Sequence, residues 1–323
     1  MPVSDEDFFQ RTLQFHENGA RLQKIDPECV DEYDDHSLLK LICITYWVGI
    51  FIPIANALRF HTAYVDSMAG SGVTITKKGH ILCGSCPGAI LSAMDKRHPF
   101  ELAFAVEKNR ARAETLTERL KGIAPTKIMV YNDDILNVSE EIARHLQGTM
   151  AYIVIDPEGF EGMTWAGLEP LVKCKGDVML TWFESDAWRV KCAAESPENK
   201  SAESIKKRLT ELLGTEDWIK TTSEKELTQL FVQRIIQECG KKAYAAINIP
   251  RTDKRNSYLM ILFTGGGSGA QHRVDGWKSS IEKRVTSAHG QGISTLLDIK
   301  AGKIATLNQW IPKEEKESMK QEM

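Results

Sequence analysis

The chain has 323 residues, 42% of them hydrophobic and 26% charged, with a formal net charge of −3. A chain of this length buries roughly 75% of the surface its unfolded form exposes, so neither disulfides nor a structural metal is needed to hold a core. The faintly acidic balance excludes a general attraction to polyanions, and any nucleic-acid partner has to be held by a local basic patch.

Along the chain, residues 5–25 read as a polar helix and 36–59 as an apolar one broken near Pro53. The run 41–57 falls about a turn short of the ~20 residues that span a bilayer and contains Pro53 and Asn56, which favours a buried helix and no membrane role. Short apolar runs then alternate with amphipathic segments. The runs 63–68, 102–107, 127–131, 151–156 and 177–183 are separated by helical stretches near 87–96, 109–121, 138–147 and 165–173. Strands this apolar, alternating with helices, predict a parallel sheet covered on both faces. Residues 184–240 break the rhythm with charged helices, notably 201–213 and 224–239. The runs 243–249 and 258–264 then form an antiparallel hairpin. Five parallel strands followed by such a hairpin are the inventory of the Rossmann-like, seven-stranded fold of S-adenosylmethionine (SAM)-dependent methyltransferases. The expected organisation is a helical extension over 1–60, an α/β domain over 61–271 with a helical insertion at 184–240, and a helical segment with a charged tail over 272–323.

In open α/β sheets, ligands bind at the carboxyl ends of the strands, where strand order reverses. Strand one here runs into Asp66 and then Ala69-Gly70-Ser71-Gly72, a loop whose glycines let the backbone approach a ligand. Strand two ends at Glu107, a carboxylate suited to both hydroxyls of a ribose. Strand three is followed by Asp133 and Asp134, placed for an adenine amino group, and strand four by Asp156-Pro157-Glu158-Gly159-Phe160. Each has a plainer reading: a tight turn, a cap for the helix starting near Asn109, the opening of the next helix, a capped turn. Together, at successive strand ends, they predict a nucleoside cofactor. A dinucleotide fingerprint is disfavoured, because Ile75 stands at the third glycine position and Glu107 comes 35 residues after Gly72. SAM, which has no phosphates, fits better. Asp156-Pro157 suggests the loop of amino-methyltransferases, in which an acid and a backbone carbonyl orient a target NH2 for in-line attack. Glu158 stands where a second proline is usual, and Phe160 follows later than the usual aromatic.

These residues resemble the three-Cys-motif partner (TcmP) proteins, over roughly residues 36–280. The likeness rests on His36-x-x-x-Lys40, the VDSMAGSG loop, Gly84-Ser85, Ala105-Val106-Glu107, the IDPEGFEGMTW segment and the late strand LMILFT followed by glycines. Cys86 before Pro87 departs from the family's glycine-serine-proline. The resemblance implies a SAM-methyltransferase-like fold and a companion protein bearing a three-Cys motif.

Seven scattered cysteines with no opening signal peptide suit a reduced, cytoplasmic protein. Cys83-x-x-Cys86 has metal-ligand spacing but no second pair, so no metal is expected. Trp182 ends strand five on the substrate side, with Arg189 beyond it, and aromatics there serve either the core or a stacked base. Arg251, Lys254 and Arg255 form the basic cluster best placed for phosphates. The functional expectation is methyl transfer to a nitrogen of a base in RNA or DNA. Asp156, Pro157 and Glu158 would be catalytic, Phe160 would contact the base, and Asp66, Ala69, Gly70, Gly72, Glu107, Asp133 and Asp134 would hold SAM. The alternative is a non-catalytic Rossmann-like partner that binds a companion enzyme or nucleic acid.

Overall fold

Along the central strands, side chains alternate between two apolar layers. Tyr64, Ala103, Ala105, Tyr152 and Val154 face one, and Ala63, Val65, Phe104, Ile153 and Ile155 face the other. Such strict period-two burial puts helices on both faces of a sheet. In the computed structural model, residues 5–34, 37–95, 98–123, 125–157, 159–160, 163–249, 258–285, 297–298 and 302–303 are described.

The elements in chain order begin with α1 (Asp5–Gln23), β1 (Asp31–Tyr33), α2 (Ser37–Ala57), β2 (His61–Asp66), β3 (Val73–Thr76), β4 (Ile81–Cys83) and α3 (Ser85–Asp95). There follow β5 (Leu102–Val106), α4 (Arg110–Leu120), β6 (Lys127–Tyr131), α5 (Ile135–His145), β7 (Thr149–Ile155), α6 (Trp165–Val172) and β8 (Gly176–Trp182). The chain continues with α7 (Glu184–Glu195), α8 (Ala202–Leu213), α9 (Glu224–Glu238), β9 (Ala243–Ile249), β10 (Tyr258–Thr264) and α10 (Ala270–Val285). Seven strands form one sheet in the order β6-β5-β2-β7-β8-β10-β9, all parallel except β10. This is the expected Rossmann-like methyltransferase arrangement, including the β9–β10 hairpin. Strand order reverses between β2 and β7.

One expectation is corrected. The apolar helix is not broken at Pro53: α2 runs through it to Ala57, with Pro53 on an exposed side where losing one backbone hydrogen bond costs least. Between the glycine loop and α3 lies a hairpin of β3 and β4, which sequence reading did not find and which pairs with β1 as a separate three-stranded sheet. Strands of three or four residues carry little periodicity, and these exist because distant segments pair.

By length and hydropathy alone, Leu38–Ala57 suits a membrane span, yet 72% of its most apolar window is buried. Cys43, Ile44, Val48 and Ile52 have no exposed surface. Two hydrogen bonds lock the helix to the sheet: Trp47 Nε1–H to Asp177 Oδ2 at 2.9 Å, and Tyr152 O–H to the Ile44 carbonyl at 3.0 Å. Phe15 and Leu22 of α1 join this layer together with α3 and α10, while α5 to α9 cover the opposite face.

Candidate functional site

A cleft of about 310 Å³ opens at the carboxyl ends of β2, β5, β6 and β7, at the point of strand-order reversal. Ligands bind in open α/β sheets at this position. Its wall starts with the loop after β2. Backbone hydrogen bonds from Ser67 to Val154 (3.0 Å) and from Ala69 to Val106 (2.9 Å) hang the loop between the neighbouring strands. Gly70 (φ +61°) and Gly72 (φ +83°) take the left-handed conformation that favours glycine. A Cβ on Gly70 would collide with Asp31 Oδ2, and one on Gly72 would come within 2.8 Å of Leu116 Cδ1.

The small sheet explains itself here. It delivers Asp31, whose Oδ2 accepts Ser71 N–H (2.7 Å) and Ser71 Oγ–H (3.0 Å), while Oδ1 pairs with Arg112 Nε at 3.2 Å. Arg119, 1% exposed, donates to the carbonyls of Leu22 (3.2 Å), Ser71 (2.8 Å) and Asp26 (2.6 Å), tying the end of α1 to the glycine loop. The loop is thereby rigid before any ligand arrives.

Asp66 is placed behind this wall rather than in the cleft. It is fully buried, and its carboxylate accepts Ser85 Oγ–H (2.5 Å), Tyr64 O–H (3.2 Å) and Met68 N–H (3.3 Å). Burial pushes its pKa from the ordinary 3.8 up to about 6, against the lowering effect of the Ser85 and Met68 hydrogen bonds. The native state therefore holds this proton more tightly than the unfolded chain does. Stability should fall as pH rises from about 4 to about 6, by about 3 kcal/mol in all, and stay at the lower level above that window. Asp66→Asn, which has no proton to lose, is expected to lack this slope. Urea-unfolding free energies of both proteins between pH 4.5 and 7.5 check it; a wild-type-to-variant difference that stays constant across the range would contradict it.

Glu107 lines the cleft and is 8% exposed. Its Oε2 accepts Gly70 N–H (3.0 Å) and its Oε1 accepts Asn109 N–H (2.7 Å), which leaves each oxygen a second lone pair. Asn109, not Glu107, caps α4, its side chain accepting Arg112 N–H. Asp133 and Asp134 also line the cleft. Asp134 is the N-cap of α5, and Asp133 Oδ1 accepts from Asp134 N–H (2.7 Å) and Asn137 Nδ2 (2.8 Å), which hold its pKa below the usual range.

Asp156 lies on the cleft wall, followed by buried Pro157. Both its oxygens are engaged by Lys40 Nζ of α2, at 2.9 and 2.8 Å, with side chains 17% and 13% exposed. The rings of Tyr33 and Tyr258 flank that ammonium, each centroid 5.6 Å away. Ser67 adds one more feature: it lines the cleft, is 1% exposed, and its Oγ has no hydrogen-bond partner among the described residues.

Of the remaining expected site residues, Phe160 and Arg189 line a separate cavity of about 580 Å³ between the Asp156 loop, α7 and α8. Trp182, expected on the substrate side, is a core residue instead. It is fully buried, stacks on Phe231 with centroids 4.5 Å apart, and donates to Thr228 Oγ1 at 2.9 Å. Glu158, Arg251, Lys254 and Arg255 lie outside the described residues. Cys83 and Cys86 are buried; burial pushes the Cys83 thiol up to about 12 and the Cys86 thiol well above its ordinary value.

Sequence reasoning missed Asp31, Tyr33, Ser67 and the role of Lys40. For Lys40 a signal existed: it is the only cation in the apolar stretch Ser37–Ala57, and a charge on a buried helix needs a partner. Nothing local marks Asp31, whose role depends on β1 pairing with β3.

No protein-family model matches the chain, and no curated protein does either. Solved structures resemble it in fold. Protein LPL1258 of Legionella pneumophila, from the DUF519 family model, is 10% identical with a TM-score of 0.47, over 78% of this chain and 93% of that one. Trm1 of Pyrococcus horikoshii, solved with SAM, is 13% identical with a TM-score of 0.41, over 75% of this chain and 58% of that one. An rRNA methylase from Streptococcus thermophilus is 9% identical with a TM-score of 0.35, over 68% of this chain and 93% of that one.

Proposed function

We propose that the protein is a SAM-dependent methyltransferase whose acceptor is a nitrogen of a nucleic-acid base. The observation that carries this reading is the cleft at the strand-order reversal, walled by a rigid glycine loop and carrying an unpartnered, buried Ser67 hydroxyl. Its charge supports SAM over a nucleotide. Among the described residues Glu107, Asp133, Asp134 and Asp156 line it against Lys108 and Arg112, with Lys40 paired to Asp156, and the acidic balance that is left disfavours phosphates and suits a cationic sulfonium.

In this reading Glu107 holds the ribose hydroxyls through its second lone pairs, Asp133 and Asp134 face the adenine, and Ser67 with Gly70 receives the methionyl end. When bound, SAM supplies an electrophilic methyl group. Lys40 fixes the Asp156 carboxylate in orientation, and the remaining lone pairs of that carboxylate can accept a hydrogen of the target amino group. Positioning of this kind contributes rate by holding the nitrogen lone pair in line with the methyl group.

A melting experiment tests the cofactor assignment. S-adenosylhomocysteine at 100 times its dissociation constant is expected to stabilise the protein by about 2.7 kcal/mol, NAD is expected to do nothing, and Glu107→Ala should abolish the shift. No shift in the wild type at millimolar S-adenosylhomocysteine would sink the assignment.

The Lys40–Asp156 ion pair also favours a second reading, a Rossmann-like partner without catalysis, because an ammonium already occupies the place of an acceptor amine. A companion with a three-Cys motif and a cytoplasmic location belong with either reading.

A further inference from the structure

A second cavity, of about 550 Å³, lies between α1, α2 and α10 and shares no lining residue with the cleft above. Arg11 enters it from α1, Tyr46 and Ile50 from α2, and His272, Arg273 and Trp277 from α10. No carboxylate lines it among the described residues. The Arg11 guanidinium lies 5.2 Å from the centre of the Tyr46 ring rather than on an acid. Among the described residues Arg273 makes one long hydrogen bond, 3.5 Å from Nη1 to the Ser268 carbonyl, and lies near enough to Asp177 to offset part of the rise in pKa that burial gives that acid.

Trp277 supplies a second, independent observation. Four tryptophans are almost fully enclosed: Trp47, Trp182, Trp218 and Trp277. The indole N–H of the first three donates to Asp177, Thr228 and Thr210, each at 2.9 Å. That of Trp277, 1% exposed, has no acceptor among the described residues. A buried donor left unpaired is costly, and beside it the half-buried guanidinium groups of Arg11 and Arg273 give the cavity wall a positive charge. An anionic oxygen in the cavity can accept hydrogen bonds from the two guanidinium groups.

We propose that this cavity binds a phosphate-bearing ligand of nucleotide size. The cavity is much larger than a phosphate ion needs, and Tyr46 and Ile50 offer an apolar face to the rest of the ligand. The phosphate can come from a free nucleotide or from the backbone of a strand held beside the cleft.

The test is a titration of the full chain with inorganic phosphate, AMP and hexa-adenylate, followed through the indole 15N–1H resonances. The Trp277 signal is identified by its loss in Trp277→Phe. AMP or the oligonucleotide should shift that signal in the wild type. The Arg11→Ala/Arg273→Ala variant, checked for an unchanged circular dichroism spectrum, should bind at least tenfold more weakly. Tighter binding of hexa-adenylate than of AMP assigns the site to a strand, and tighter AMP binding assigns it to a free nucleotide. Three results overturn the proposal: no shift of any indole signal with all three probes at millimolar concentration, inorganic phosphate binding as tightly as AMP, or affinity unchanged in the double variant. The wild-type titration decides the matter even where a variant fails to fold. Binding in the SAM cleft would leave the double variant unaffected, so this result is independent of the methyltransferase reading.

Discussion

If the protein acts as proposed, Asp156→Ala is expected to lower methyl transfer to total cellular RNA or DNA by about 10²-fold or more while leaving S-adenosylhomocysteine binding in place, because in that reading Asp156 positions the acceptor while the cofactor is held from β2, β5 and β6. The structure adds a consequence for stability. Lys40 and Asp156 are both largely enclosed and paired through both carboxylate oxygens. Removing one partner leaves an uncompensated charge, at a cost of about 3 kcal/mol. A drop in activity could therefore reflect unfolding alone, and Lys40→Met/Asp156→Leu separates the two effects. An apolar pair of similar size is expected to recover most of the stability in urea, since replacing a buried ion pair is often neutral, without recovering transfer. Robust, equal transfer by wild type and Asp156→Ala would remove Asp156 from the reaction and leave the cofactor assignment intact. No transfer by any of the proteins, with a companion protein co-purifying with each, would favour the non-catalytic reading.

Ile44→Asp is expected to abolish cooperative folding. Ile44 has no exposed surface and belongs to the apolar layer packed on the sheet, so a carboxylate there is buried among apolar side chains. An unpaired charge in such a place costs several kcal/mol, against a total stability of about 5–15 kcal/mol for a typical domain. Leu58→Asp, just past the end of α2 on a side chain 57% exposed, serves as the control and should change stability by no more than about 0.5 kcal/mol. Urea unfolding followed by circular dichroism, with the soluble yield of each variant, reads both. A wild-type midpoint for Ile44→Asp would mean that α2 is not part of the core.

The alternation of short apolar runs with amphipathic stretches placed all seven strands of the main sheet to within about two residues, because burial on both faces demands continuous apolar strands whatever their neighbours are. The acids and glycines at the strand ends were legible for a related reason: in an open parallel sheet the carboxyl ends converge, so strand position alone brings Gly70, Glu107, Asp133 and Asp156 to one cleft. What each of them does there was decided by the tertiary structure. Asp66 and Trp182 have the residue types of a site yet are buried in the scaffold, because the layer packed against each strand end determines whether a side chain faces ligand or core. Asp31 under the glycine loop, Arg119 across three carbonyls and Lys40 on Asp156 join segments far apart in the chain. Periodicity records only what neighbours along the chain have in common. A charge on a buried helix announces that a partner exists, but which carboxylate meets it depends on how α2 docks on the sheet.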